Sequence, residues 1–249
     1  MKALLNLIQT EFLKLRRNKL IWLMLLTALI MPFFALLYFN YFGDKGVDPR
    51  EFYKMSALSF TIFIILPVIL GIFCTMLMHE ENQYDMLKQL WIVPISKIGY
   101  FFSKFFVVLV YSICFMLITF VASVMFSVLS GYVVFEWGSV FYLLKKCLES
   151  GVITAFVMLP ILAIAASQKG YILPICITLV YAFLFFIIGG IDMYIHPLSS
   201  MLVIINRNND IPGIVWPQGI NVPLAFLSIC VWDIIAVFLA NIALKRSEV

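Results

Sequence analysis

The residues of this sequence that could do chemistry are few, and most fall between His79 and Lys104. His79-Glu80 opens like a zinc-protease helix, in which two histidines four positions apart hold the metal and the glutamate activates water. The second ligand position is Gln83. Glu80-Glu81 also begins a glutamate-based membrane-protease motif, Glu-Glu-x-x-x-Arg, but Asp85 stands where the arginine belongs. Each pattern fails at a residue its chemistry requires. His79 and His196 are the two histidines of the chain and are expected on opposite sides of a membrane, which argues against paired acid–base or metal chemistry. No Gly-x-x-x-x-Gly-Lys-Ser/Thr loop is present to cradle a nucleotide. This chain is therefore not expected to be an enzyme or to hold a cofactor; any ATP and Mg would sit on a partner. One further ionisable group stands out. Asp233 lies in the middle of the last apolar run, where a carboxylate is costly and marks function by default. No Lys or Arg is expected inside a span to pair with it, so a proton or neighbouring Ser, Thr or Tyr hydroxyls would have to neutralise it.

The segment from His79 to Lys104 also carries a physical pattern. Gln83, Met86, Leu87, Leu90 and Trp91 recur at i, i+3, i+4 spacing, Asp85, Lys88 and Gln89 fall on other faces, and Pro94 ends the pattern. This predicts a short amphipathic helix at a membrane surface. About ten residues of helix are marginal alone in water, so Leu and Trp need a surface to bury against, either headgroups or a soluble partner.

The elements that would position this segment follow from composition. Apolar residues make up 64% of the 249, charged residues 12%, and the mean hydropathy is +1.07, outside the range of soluble domains. The expected fold is an all-α, polytopic membrane protein forming a single domain. A span needs about 20 apolar residues to cross roughly 30 Å. Such runs lie at about 20–42, 57–78, 105–129, 148–166, 171–191 and 222–244. Most of the seventeen basic residues cluster in the N-terminal tail (Lys2, Lys14, Arg16, Arg17, Lys19), at Lys88, Lys97 and Lys104, at Lys169, and at Lys245 and Arg246. By the positive-inside rule both termini and the 79–104 segment are cytoplasmic. The net charge of +4 reflects this orientation and does not indicate a nucleic-acid partner.

Along Met1 to Lys19, Leu4, Leu5, Ile8, Phe12 and Leu15 oppose Lys2, Asn6, Gln9, Lys14 and Arg17, which predicts an interfacial helix before the first span. Pro32 and Pro67 are expected to kink the first two spans, and 43–54 and 138–146 to be external connections. Gly151/Ala155 and Ala163/Ser167 place small residues at i, i+4 for close helix approach. The stretch from Ile191 to Asn221 is too long for a turn. Its apolar part, Leu198 and Met201 to Ile205, is too short to span, so a re-entrant or surface helix capping the outer end is expected. The five cysteines show neither a disulfide framework nor metal spacing.

Several of these features together carry a resemblance: the N-terminal interfacial helix, six spans, Glu80-Glu81…Leu87…Leu90…Val93-Pro94-Ile95-Ser96-Lys97…Lys104, Ser167-Gln-Lys-Gly between spans four and five, and a capped external segment. The chain resembles the permease subunit of a type-2 ABC exporter, and is similar to the small bacterial permeases that protect against bacitracin or lantibiotics. The resemblance implies a coupling helix, with Glu80, Glu81, Asp85, Leu87, Lys88, Leu90, Trp91 and Pro94 docking on a separate ABC ATPase. It also implies a second permease copy, a bacterial cytoplasmic membrane, contact with lipid, and a peptide antibiotic as substrate, bacitracin first and a lantibiotic second. A non-transporting immunity or membrane-protease-like protein that binds peptide directly is the alternative; a neighbouring ATPase gene would discriminate. Cysteines introduced at Asp48 and Asn208 should label from outside intact cells, while one at Asn82 should not. The reverse pattern would overturn the orientation.

Overall fold

The computed structural model describes residues 2–42, 48–83, 96–131, 135–168, 170–208, 210–211 and 219–246; among them every regular element is helical. The first helix, Lys2–Arg17, ends on Lys14, Arg16 and Arg17, cations that complement its carbonyl end. Asn18 breaks it with extended backbone (φ −90°, ψ 109°), and its side chain accepts the Leu20 N–H at 3.1 Å, capping the next helix. The N-terminal helix and the first span are thus two rods joined by one extended residue. The inward line of the first rod is Leu7, Glu11 and half-buried Leu15, while Phe12, expected on the apolar face, points outward. An outward Phe12 suits a helix lying against a bilayer; what spacing did not reveal is that Glu11 turns inward to a lysine far away in sequence.

Among the described residues six helical stretches are long and apolar enough to cross a membrane: Lys19–Phe42, Pro49–His79, Lys97–Leu129, Trp137–Ser167, Ile172–Ile191 and Val222–Lys245. Gly138 to Lys146, expected as an external connection, instead belongs to the helix Trp137–Val157 that begins the fourth span. Lys97 and Lys104, expected in a loop, lie in the third-span helix Lys97–Ser130. Hydropathy cut the third and fourth runs short at Lys104 and Lys146, which in the folded chain are buried against carboxylates.

Proline breaks are repaired by neighbouring hydroxyls. Pro32 offers no N–H to the Ala28 carbonyl one turn earlier; a 3₁₀ turn, Thr27–Leu29, forms there, and the Thr119 hydroxyl of the third span lies 3.4 Å from Ala28 O, sharing its one proton with Phe115 O at 3.1 Å. Pro160 interrupts the fourth span after Val157, whose carbonyl accepts the Tyr181 hydroxyl of the fifth span at 2.8 Å. Before Pro67 the second span widens into two π-helical stretches, Lys54–Leu58 and Thr61–Ile65.

Spans three and four meet backbone to backbone. Ser112 donates to the Gly151 carbonyl at 2.7 Å, and a Cβ on Gly151 would stand 3.3 Å from Ile113 Cα. Small residues at i, i+4 admit this approach. The second and fourth spans are the most buried, whereas the first, fifth and sixth present Trp22, Phe33, Phe34, Ile187 and Phe238 outward. Between the last two spans a nine-residue helix, Pro197–Ile205, is buried along its whole length. The short apolar stretch is therefore a re-entrant helix packed inside the bundle.

Candidate functional site

Of the expected coupling residues, Glu80 and Glu81 fall on the last turn of the second-span helix Leu66–Gln83. Asp85, Leu87, Lys88, Leu90, Trp91 and Pro94 lie outside the described residues. The two stems that carry the segment are well defined. Ser96 opens the third span as an N-cap, its hydroxyl accepting the Gly99 N–H at 3.1 Å. One turn further, buried Tyr100 donates to the Met78 thioether at 3.8 Å, and Lys104 donates to the Leu77 carbonyl at 3.3 Å. The stems are stitched together at 77–78 and 100–104.

Lys104 also reaches the N-terminal helix. Its ammonium lies 2.6 Å from Glu11 Oε2, with both side chains almost fully buried, while Lys14 binds Glu11 Oε1 at 3.1 Å. Removing one partner of such a buried pair typically costs about 3–5 kcal/mol, because the other charge stays behind without compensation. Glu11 was not singled out from sequence. Its signal is that it is the sole acid before Asp44, set in a strongly basic helix at i+4 from Leu7 and i−4 from Leu15.

At the opposite end a second charged cluster holds the re-entrant helix. Lys146, buried on the fourth span, lies 2.6 Å from Asp210 and 3.7 Å from Glu149, and donates to the Ile205 carbonyl at 2.9 Å. Arg207 pairs with Glu149 and donates to the Ile204 carbonyl at 3.0 Å; the Tyr142 hydroxyl donates to Asp210. Two cations thus satisfy the last carbonyls of the helix and complement its dipole. Its start is capped by His196, whose Nδ1 accepts the Leu198 N–H at 3.2 Å, with Pro197 at the first helical position. Burial pushes His196 down to about 4, so the imidazole is neutral at ordinary pH. The sixth span holds the approach to this helix: Trp232 Nε1 donates to Ile195 O at 2.9 Å and Ser228 to Tyr194 O at 2.6 Å.

Asp233 lies on the inward seam of the sixth span, between buried Ile229 and Ala236. Its Oδ1 is buried and makes no hydrogen bond among the described residues, so the expected hydroxyl partner is not found there. The expectation that no lysine lies inside a span is corrected: Lys104 and Lys146 do, but each is engaged by Glu11 and Asp210 respectively.

Six apolar spans, with buried lysines paired to carboxylates, define a multi-pass helical membrane protein. Residues 7–185 match the model of the ABC-2 family transporter proteins, and the chain belongs to that family. It is thus a membrane component of an ABC transporter, a class in which ATP hydrolysis generally resides in a partner chain. No curated protein matches the chain in sequence.

This second cluster makes a direct test of what holds the re-entrant helix. Lys146→Met should lower stability by about 3–5 kcal/mol, since Asp210 stays buried with only the Tyr142 hydroxyl in place of its cation. Lys146→Met with Asp210→Asn should recover most of that loss. Thermal unfolding in detergent measures both, and a single variant that melts with the parent would show that the pair carries no load.

Proposed function

We propose that this chain is the membrane half of an ATP-driven exporter that clears an amphipathic peptide antibiotic from a bacterial cytoplasmic membrane. Bacitracin is the first candidate substrate and a lantibiotic the second. The observation that carries the reading is the family match over residues 7–185, which takes in most of the N-terminal helix, both stems of the 84–95 segment and the first four spans. Both termini and that segment face the cytoplasm, where ATP and Mg are bound by a separate ABC ATPase.

In this reading Leu87, Leu90 and Trp91 anchor the segment on the ATPase. Aromatic and aliphatic anchors of this sort carry about 2 kcal/mol or more each. Glu80, Glu81, Asp85 and Lys88 set orientation at the rim, and Pro94 ends the docking element. Two copies of the chain face one another to form the pathway. The outward aromatic residues of the first span and the lightly covered fifth span support such a pairing, with lipid covering the remainder. Asp233 is the intramembrane polar candidate along that pathway, because a buried carboxylate oxygen without a hydrogen bond is costly to keep for packing alone.

Leu87→Asp and Trp91→Ala should leave insertion and dimerisation intact while abolishing co-purification of the ATPase and its stimulated turnover. Survival of both activities would reduce the segment to a membrane anchor. Asp233→Asn should assemble normally yet lose bacitracin resistance in the same cells, and unchanged resistance would remove Asp233 from the pathway.

A further inference from the structure

The Glu11–Lys104 pair has a geometry that ordinary helix packing does not need. Lys104 is one turn C-terminal to Tyr100 on the third span, and its ammonium is shared between a carboxylate of the N-terminal helix and the Leu77 carbonyl of the second span. Three elements therefore converge on one buried cation: both stems of the 84–95 segment and the N-terminal helix. The adjoining contacts point the same way. Tyr100 bonds Met78 across the stems, and Tyr111 of the third span donates to Ile21 O at the start of the first span at 3.4 Å. Only Asn18 separates that start from the N-terminal helix.

We infer that Glu11 and Lys104 are positioning residues that tie the N-terminal helix to the two stems, so that all three move as one body when a partner engages the segment between the stems. This rests on the exporter reading for its driving force, but the tie itself does not. Both side chains are almost fully buried, so separating charges 2.6 Å apart would leave the Lys104 ammonium without a counter-charge in a site closed to water, even though Glu11 keeps Lys14. A displacement of the stems is consequently easier to accommodate by moving the helix than by opening the pair. The helix then passes that displacement through Asn18 to the first span.

The double variant Glu11→Gln/Lys104→Met removes both buried charges at once, and Lys14, the second cation on Glu11, is 41% exposed and stays hydrated. The full-length protein in nanodiscs should keep its fold and dimer, while hydrogen–deuterium exchange over residues 2–17 rises at least tenfold with the fourth to sixth spans unchanged. Co-reconstituted with the ATPase in liposomes, it should still bind that subunit but stimulate ATP turnover at least fivefold less than the parent. Unchanged exchange over residues 2–17 would overturn the tie. Raised exchange with parental ATP turnover would overturn its role in transmission. Failure of the parent itself to bind any ATPase would instead sink the exporter reading, and the exchange measurement would still decide the tie.

Discussion

Among the described residues two lysines are buried within helices long enough to cross a membrane, and each is held by a carboxylate from another element. In a dry interior an isolated ammonium costs several kcal/mol after relaxation, so neither helix can be placed before its partner arrives. Glu11 brings the N-terminal helix against the third span, and Asp210 fixes the segment that follows the re-entrant helix against the fourth. The same constraint acts on backbone groups. The Ala28 carbonyl near Pro32 and the Val157 carbonyl near Pro160 are met by Thr119 and Tyr181 of neighbouring spans, which converts two helix breaks into inter-helix bonds. The packing of this bundle is thus written largely in its polar residues, although they are the minority.

Placed along the molecule, these bonds divide it unevenly. One charged joint gathers the N-terminal helix, the second span and the third; the other gathers the fourth span and the re-entrant helix. Between them the third and fourth spans approach within backbone contact at Ser112, Ile113 and Gly151, where a side chain larger than glycine would press on the backbone opposite. The second to fourth spans form the dense centre. A load applied at the stems therefore meets a stiff body first.

Composition and run length made the class and the number of spans legible, because the bilayer demands about 20 apolar residues per crossing. A capping helix, re-entrant or surface, was also legible, since a mostly apolar nine-residue stretch is too short to cross and too apolar to remain in water. What hydropathy missed were the residues whose meaning depends on a distant partner. Lys146 reads as a loop residue until Asp210, 64 positions later in the numbering, is seen beside it. Lys104 reads as part of a basic loop until Glu11 is placed, and Glu11 reads as a stray acid on a basic helix until Lys104 is placed. Pairings of this kind have no local signature, because helix periodicity reports which face a residue occupies and not what meets it there. The i, i+3, i+4 pattern of 83–91 remains a reading of periodicity alone.

The bonds that hold the fifth and sixth spans are of another kind. Tyr181 to Val157, Ser228 to Tyr194 and Trp232 to Ile195 are single neutral donors on backbone carbonyls. Each is worth about 1 kcal/mol net, against the several needed to part a buried ion pair. Besides apolar packing, these neutral seams are what the polar groups contribute to holding the last two spans. Asp233 sits on one of them, between Ile229 and Ala236, with an oxygen that the surrounding described residues leave unbonded. A polar atom in that condition gains more from a rearrangement that brings it a donor than any satisfied group nearby. Neutral inter-helix bonds and a buried carboxylate oxygen without a hydrogen bond among the described residues thus fall on the same helix.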